Sequence, residues 1–128
     1  MYQRKITLDL DCGLQLTSLV LGGKWKCCIL DAIHKGYERP ADIRRYIKIA
    51  SARVIEMQLA ELLQLGVVHK TEGAGFPKFS CYKLSSLGTS LLPILAQMDS
   101  WGMQHASQLK PLLQENVQAR ASLNKYAG

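Results

Sequence analysis

The side chains best suited to chemistry in this 128-residue chain are four cysteines and three histidines. The cysteines form no C-x-x-C pair and the histidines are scattered, so neither set has the spacing of a zinc site. No cysteine stands in a recognisable motif with a base and an orienting group. We therefore expect no catalytic residue, no metal and no cofactor, and we predict that the chain is not an enzyme. The residues concerned are Cys12, Cys27, Cys28, Cys81, His34, His69 and His105.

Binding chemistry is more prominent, because cationic side chains are concentrated in one part of the chain. The sequence has 16 Lys and Arg against 10 Asp and Glu, a net charge of +6. Between Lys24 and Lys83 there are eleven basic and six acidic residues, so nearly all of the excess lies in this stretch. A positive stretch suits a polyanion such as nucleic acid, although a net charge of this size is also ordinary for a solvated surface.

Two helices with a short turn between them occupy the middle of the positive stretch. The segment P-A-D-I-R-R-Y-I, from Pro40 to Ile47, predicts a short helix, because proline is favoured in a first helical turn. A longer helix follows, with Ser51 as its N-cap and apolar residues at i, i+4 and i+7. These apolar positions are Ile55, Leu59 and Leu62, with Val54 and Leu63 widening the stripe. The spacing predicts a helix-turn-helix.

A β-hairpin is predicted directly after the second helix, which Gly66 stops. Val67 and Val68 begin one strand, residues 78–84 form the other, and glycines and a proline make the tip a loop. A helix-turn-helix followed by a hairpin is a winged helix, a mainly α fold with a small β-hairpin (α+β). That layout presents one helix to a DNA major groove and the hairpin to the adjacent backbone.

Helical patterns also flank this centre. Gly13 to Leu21 predicts a short helix, and Lys24 to Lys35 predicts another that ends at Gly36. The second has one apolar face that includes Cys28, and we interpret Cys27 and Cys28 as small buried side chains rather than a reactive pair.

A last long helix is predicted from the Ser85 cap onward, and Pro93 inside it should bend it. Its broad apolar surface exceeds what a three-helix core can cover, so we predict a subunit interface on this helix. The residues assigned to the dimer interface are Leu91, Leu95, Met98 and Trp101.

We divide the chain into three parts. Residues 1–11 form an N-terminal arm, residues 12–106 form the winged helix-turn-helix domain with a C-terminal dimerisation helix, and residues 107–128 form a tail that is partly helical or disordered. No apolar run approaches the ~20 residues that span a bilayer. Because the N-terminus also lacks the apolar core of a signal peptide, we expect a cytoplasmic protein without a membrane partner.

Four segments carry a pattern that extends beyond the general winged helix. They are G-G-K-W-K at 22–26, I-R-R-Y-I at 43–47, Q-L-A-E-L-L-Q-L-G-V-V at 58–68 and Y-K-L-S-S-L-G-T-S-L-L-P-I-L at 82–95. Together they resemble the HxlR family, small bacterial winged-helix transcriptional regulators related to the MarR type. The resemblance runs without gaps from Cys12 to about Gly102. It implies a homodimer, built from the N- and C-terminal helices, that binds an inverted-repeat operator on double-stranded DNA.

The resemblance also implies roles for individual residues. It places the recognition helix at Ser51 to Ala60 and the wing at Gly73 to Lys78. The recognition helix, which begins at Ser51, would contact base edges. Basic residues around this helix would contact phosphates. The predicted base-reading residues are Ala52, Arg53, Glu56 and Met57, and the predicted phosphate contacts are Lys24, Arg44, Arg45 and Lys78.

Glu56 departs from the family pattern, in which a small hydroxyl residue is common at this position. A carboxylate in the groove can accept a hydrogen bond from a cytosine amino group, in which case the operator differs from the family norm. Alternatively, Glu56 pairs with Arg53 and orients it. The second interpretation is favoured, because residues at i and i+3 share a helix face.

Cys12 is the only cysteine that we consider for a sensing role. A cysteine at this place recurs in the family and in some members senses electrophiles or oxidants, which makes Cys12 a redox-sensing candidate. The proline that usually follows it is Gly13 here, and an inert thiol is equally compatible with the sequence, since reactivity requires a lowered pKa.

Another function is also open, a winged helix used for protein–protein contact without specific DNA binding. The basic bias of residues 24–83 and the small residues that begin the recognition helix favour DNA.

Overall fold

The computed structural model describes residues 9–73 and 79–115. Its helices are α1 (Gly13–Leu21), α2 (Lys26–His34), α3 (Pro40–Ile47), α4 (Ala52–Gln64), α5 (Ser86–Ser90) and α6 (Leu92–Gln104). Residues 106–115 are also helical. Strands β1 (Val68–Glu72) and β2 (Ser80–Leu84) pair antiparallel, with Val68 opposite Leu84 and Glu72 opposite Ser80. The predicted mainly α fold with a winged helix-turn-helix order is confirmed.

The chain forms two compact units, Met1–Leu92 and Pro93–Gly128. In the first unit α2, α3, α4 and the hairpin enclose the core. The apolar stripe predicted on α4 is confirmed at Ile55, Leu59 and Leu62, whereas Leu63 is exposed and does not widen it. In the second unit no residue of α6 is buried. Within the described ranges, no helix is both long enough and apolar enough to cross a bilayer.

The helix ends follow the local chemistry of the sequence. The Ser51 hydroxyl caps α4 by accepting a hydrogen bond from the Val54 N–H at 3.2 Å. Gly66 and Gly36 lie just beyond α4 and α2 with φ of 74° and 101°, a region that glycine adopts without a steric penalty. Pro40 opens α3, where its missing N–H costs no helical hydrogen bond.

The turn between α3 and α4 is strained at Lys48. Its φ is 74° and its ψ is −43°, and the Ile49 N–H donates to the Ile47 carbonyl at 3.0 Å. This is a γ-turn with positive φ, a rare conformation for a residue with a Cβ. The turn exposes Ile49 (82 %) and buries the next residue, Ala50 (6 %). Burial of Ala50 and the Ser51 cap offset the strain by fixing the start of α4.

The prediction of one long C-terminal helix from Ser85 onward is wrong, because the structure has two helices, α5 and α6, in this segment. Ser85 caps α5, which ends at Ser90, and α6 begins at Leu92. Pro93 explains the break: it has no N–H to donate to the Thr89 carbonyl, and its ring would collide with that group in a continuous helix. Leu91, at the break, is only 9 % exposed. It therefore belongs to the buried set and not to the exposed surface predicted for it.

The predicted burial of Cys28 is also wrong. Cys28 is exposed and Cys27 is half-buried, while Lys26 occupies a buried position on α2. Partial burial of Cys27, followed by the influence of the neighbouring Cys28, raises the pKa of the Cys27 thiol. A raised pKa lowers the fraction of nucleophilic thiolate, so Cys27 is poorly suited to thiol chemistry at neutral pH.

Candidate nucleic-acid interface

Helix α4 presents a face that no other described element covers. Ser51 at its N-cap and the side chains of Ala52, Arg53, Glu56, Met57 and Ala60 are exposed. The ion pairs among the described residues are Lys26–Glu61, Lys35–Asp31 and Arg45–Asp42. Arg53 and Glu56 therefore form no ion pair, and the predicted pairing between them is wrong. Both charged groups remain available to a ligand, beside small residues that permit close approach.

The two arginines of α3 differ in their surroundings. Arg45 donates a hydrogen bond to the Asp42 carboxylate, three residues earlier on the same helix. Arg44 is exposed, and its guanidinium group makes no hydrogen bond or ion pair with any residue in the described part of the chain. Because Asp42 partly neutralises Arg45, Arg44 is the stronger candidate for a phosphate contact.

The remaining predicted phosphate contacts are Lys24 and Lys78. The Lys24 ammonium lies 5.2 Å from the centroid of the Trp25 ring, and the side chain is exposed. Lys78 lies outside the described residues, as does the rest of the loop at positions 74–78.

Helix α3 is braced against α2 by a polar network. The Lys35 ammonium donates to the Tyr46 hydroxyl at 2.7 Å and to the Asp31 carboxylate at 2.9 Å, and the Tyr46 hydroxyl donates to the same carboxylate at 3.0 Å. These hydrogen bonds, the one to Tyr46 first, raise the pKa of Lys35. The Tyr37 ring stacks on Tyr46 at 4.7 Å. The network occupies Lys35, which is therefore less available to a phosphate.

Helix α4 is held to the N-terminal end of α2 by two polar contacts. The Gln58 side-chain oxygen accepts a hydrogen bond from the Trp25 N–H at 3.0 Å, and the Lys26 ammonium lies 2.6 Å from the Glu61 carboxylate. Gly23, with φ of 110°, approaches the Gln58 amide closely. The G-G-K-W-K segment therefore helps to set the position of α4.

The roles of Gln58, Lys26 and Glu61 were not predicted from the sequence. For Gln58 and Lys26, however, the spacing of apolar residues does indicate a buried position. Gln58 follows Ile55 by three residues and precedes Leu62 by four, which places it on the buried stripe of α4. Lys26 precedes the buried Ile29 by three residues and the buried Leu30 by four, which places it on the buried face of α2. A polar residue on a buried stripe requires a partner, and in this fold the partners come from a different element.

The thiols and histidines do not form a reactive or metal-binding group in the part of the chain that the structure describes. No cluster of three or more His, Cys, Asp or Glu residues there could hold a metal ion. Cys12 is half-buried at the N-cap of α1.

A helix-turn-helix with an exposed second helix, followed by an antiparallel hairpin, defines the winged helix-turn-helix class of DNA-binding transcription regulators. The family model described as "HxlR-like helix-turn-helix" matches residues 20–118. The chain therefore belongs to the HxlR family, as the sequence motifs predicted.

Individual relatives agree with this assignment. The chain is similar to YkvN of Bacillus subtilis (strain 168), an uncharacterized HTH-type transcriptional regulator, with 33 % identity over 98 residues, 77 % of this chain and 83 % of YkvN. It is also similar to the redox regulator HypR in its reduced form, with a TM-score of 0.72 and 31 % identity over 78 % of this chain and 99 % of that one. A third similar structure is that of diamide-treated YodB from B. subtilis, with a TM-score of 0.61 and 25 % identity. The match covers 75 % of this chain and 96 % of the YodB chain.

Proposed function

We propose that this chain is a homodimeric regulator that binds a specific inverted-repeat sequence in double-stranded DNA, in the cytoplasm and without catalytic activity. The observation that carries the proposal is the exposed face of α4, where Arg53 forms no ion pair in the described structure. The opposite face is buried, and Gln58 and Glu61 hold the helix to the N-terminal end of α2. A rigidly held helix with an unpaired guanidinium in its first turn suits reading of a major groove.

In this mechanism the cations have separate tasks. Arg53 donates two hydrogen bonds to a guanine edge, and Ala52 allows the helix to approach the groove closely. Glu56 accepts from a cytosine amino group, because Arg53 does not neutralise it. Arg44 and Lys24 contact phosphates, which fixes the orientation of the protein but reads no sequence. Lys78 of the wing is proposed to add another phosphate contact.

Removing the Arg53 guanidinium should therefore reduce specificity. We expect Arg53→Ala to weaken operator binding by about 1–3 kcal/mol and to leave binding to scrambled duplexes nearly unchanged. The matched control is Arg44→Ala, which should weaken binding to both duplexes similarly and reduce the slope of log affinity against log salt by about one for each bound protomer. Lys78→Ala should behave like the control.

The measurement is competition binding at several salt concentrations, on an operator found by footprinting the protein on its own promoter. Equal losses on operator and scrambled DNA for Arg53→Ala would mean that Arg53 contacts only phosphate. A wild-type protein that prefers no sequence would contradict the proposed function and favour protein–protein contact instead.

The homodimer is supported by the apolar surface that each unit leaves exposed. On α1 the side chains of Leu14, Leu16 and Leu19 are exposed, and on α6 Met98 and Trp101 (59 %) are exposed while Leu95 is half-buried. Burying one large apolar side chain contributes roughly 1.5–3 kcal/mol, so pairing these surfaces between two copies would be favourable.

Trp101 tests this interface. We expect the wild-type protein to sediment as a dimer at micromolar concentration, and Trp101→Glu to raise the dissociation constant of the dimer by about tenfold or more, because a buried unpaired charge is costly. The control is Ile49→Glu, at a side chain that is even more exposed but belongs to the α3–α4 turn. A monomeric wild type, or equal effects of the two substitutions, would contradict the proposed interface.

A redox response through Cys12 is supported by the similarity to the redox regulator HypR. Diamide should weaken operator binding by the wild type but not by Cys12→Ser. Cys28→Ser is the control, because Cys28 is more exposed to reagents than Cys12, and this variant should keep the wild-type response. Loss of binding by Cys12→Ser after diamide would remove Cys12 from the mechanism.

A further inference from the structure

The loop end of the hairpin contacts an arginine from the segment between α2 and α3. Arg39 is the N-cap residue of α3, and its guanidinium carbon lies 3.8 Å from the centroid of the Phe79 ring. Phe79 immediately precedes β2. The distance is well inside the ~6 Å over which a cation is attracted to an aromatic face, and a planar guanidinium can stack on the ring as an ammonium cannot.

The Phe79 ring also packs against the other side of the hairpin. A Cβ placed on Gly73 would lie 2.2 Å from the ring carbon Cζ, so the ring rests directly on the Gly73 backbone. The Gly73 N–H donates to the Phe79 carbonyl at 2.8 Å, which extends the pairing of the two strands by one residue pair toward the loop. Phe79 is therefore in contact both with the strand opposite and with Arg39.

A backbone hydrogen bond supports the same junction. The Tyr82 N–H of β2 donates to the Glu38 carbonyl at 2.8 Å, next to Arg39 in the chain. The α2–α3 loop thus holds β2 through one hydrogen bond and one ring contact. A two-stranded hairpin is only marginally stable by itself, so its orientation depends on contacts of this kind.

We propose that Arg39 is a positioning residue for DNA binding, which acts through Phe79 to orient the wing rather than by touching DNA. This inference rests on the proposed function, in which the wing supplies a phosphate contact. Gly73 and Phe79 directly precede and follow positions 74–78 in the sequence, and the contacts among Arg39, Phe79 and Gly73 fix the backbone on both sides of that segment. Arg39 would then influence affinity without reading a base.

Four single substitutions separate this role from a direct phosphate contact. Phe79→Leu removes the ring and leaves Arg39, whereas Phe79→Tyr retains the ring. Arg39→Lys retains the charge without the planar group, and Arg39→Ala removes both. We expect Arg39→Ala, Arg39→Lys and Phe79→Leu each to weaken operator binding by about threefold to tenfold and to reduce the salt slope by about one, while Phe79→Tyr binds like the wild type.

Two further measurements complete the test. Arg39→Ala combined with Phe79→Leu should bind no more weakly than either single variant, because both remove the same contact. Without DNA, hydrogen exchange at the Gly73 amide should be faster in Arg39→Ala and Phe79→Leu than in the wild type.

Wild-type affinity in Arg39→Lys together with a loss in Arg39→Ala would overturn the inference in favour of a direct phosphate contact. Unchanged operator binding in all four variants, or unchanged Gly73 exchange, would also overturn it. A wild-type protein that binds no DNA would overturn both proposals, whereas the other outcomes leave the proposed function intact.

Discussion

Replacing Gly88 with alanine should destabilise this protein by about 3 kcal/mol or more, because the added methyl group has no space. A Cβ at this position would lie 2.0 Å from the Val67 carbonyl oxygen. That oxygen already accepts a hydrogen bond from the Ser85 N–H at 3.1 Å. The obstacle is backbone rather than a mobile side chain, so relief requires movement of either the start of β1 or helix α5.

The surroundings of Gly88 make such movement costly. The Ser85 hydroxyl donates to the Gly66 carbonyl at 2.6 Å and accepts from the Gly88 N–H at 3.1 Å. Displacing α5 would therefore disturb several hydrogen bonds at the junction between α4, β1 and α5. The L-G-T-S-L-L-P segment thus requires glycine at position 88, because α5 approaches the backbone at the start of β1 too closely for a Cβ.

Gly102→Ala is the matched control for Gly88→Ala. Gly102 lies inside α6, and a Cβ there would meet no atom within 4 Å. Alanine should stabilise the helix by about 0.5–1 kcal/mol, since glycine loses more backbone entropy on folding. Urea unfolding of the purified wild type and the two variants measures both changes in the free energy of unfolding. Similar stabilities for the two variants would contradict the close packing described at Gly88.

The Lys26–Glu61 pair should show an asymmetry between its two partners. The Lys26 side chain is 7 % exposed and the Glu61 side chain is 49 % exposed. Glu61→Ala leaves a buried ammonium group without its carboxylate, and we expect it to cost about 1–3 kcal/mol, less than for a fully buried pair. Lys26→Met replaces the cation by an apolar group of similar length and should change stability by less than about 1 kcal/mol.

Thermal unfolding of the two variants at one pH measures this difference. Glu61→Gln is an informative addition, because it keeps an oxygen acceptor for the lysine and should lie between the wild type and Glu61→Ala. If Lys26→Met proves as destabilising as Glu61→Ala, the pair itself is strongly stabilising, and the explanation from an unpaired buried charge is wrong. Since Glu61 lies on α4, the less stable variant should also bind the operator more weakly near its unfolding temperature.

The order of helices and strands could be predicted from sequence because local signals at their ends determine it. Ser51 caps α4 with its own hydroxyl, Gly66 adopts the positive φ that ends the same helix, and Pro40 fits the first turn of α3. Each of these effects acts within a few residues. The apolar repeat of Ile55, Leu59 and Leu62 similarly identified the buried face of α4, because helical periodicity is a property of the chain alone.

The partners of polar side chains could not be predicted in the same way. Arg53 and Glu56 share a face of α4, yet no ion pair joins them, whereas Glu61 pairs with Lys26 on a different helix. Side chains three residues apart can pair weakly on a solvated helix, and that small gain competes with solvation and side-chain entropy. Pairing across elements depends on distances that exist only after the helices pack.

The sequence alone determined the class of this protein, which is a winged helix-turn-helix of the HxlR family with a basic middle segment. Helix caps, apolar periodicity and short motifs were the signals that identified this class. Tertiary structure decided which side chains are buried and which cations remain unpaired. Lys26 is buried on α2 and its ammonium group contacts Glu61 of α4, whereas Cys28 on the same helix is exposed. Burial depends on what neighbouring elements cover, and contacts between elements distant in sequence form only when the whole domain folds.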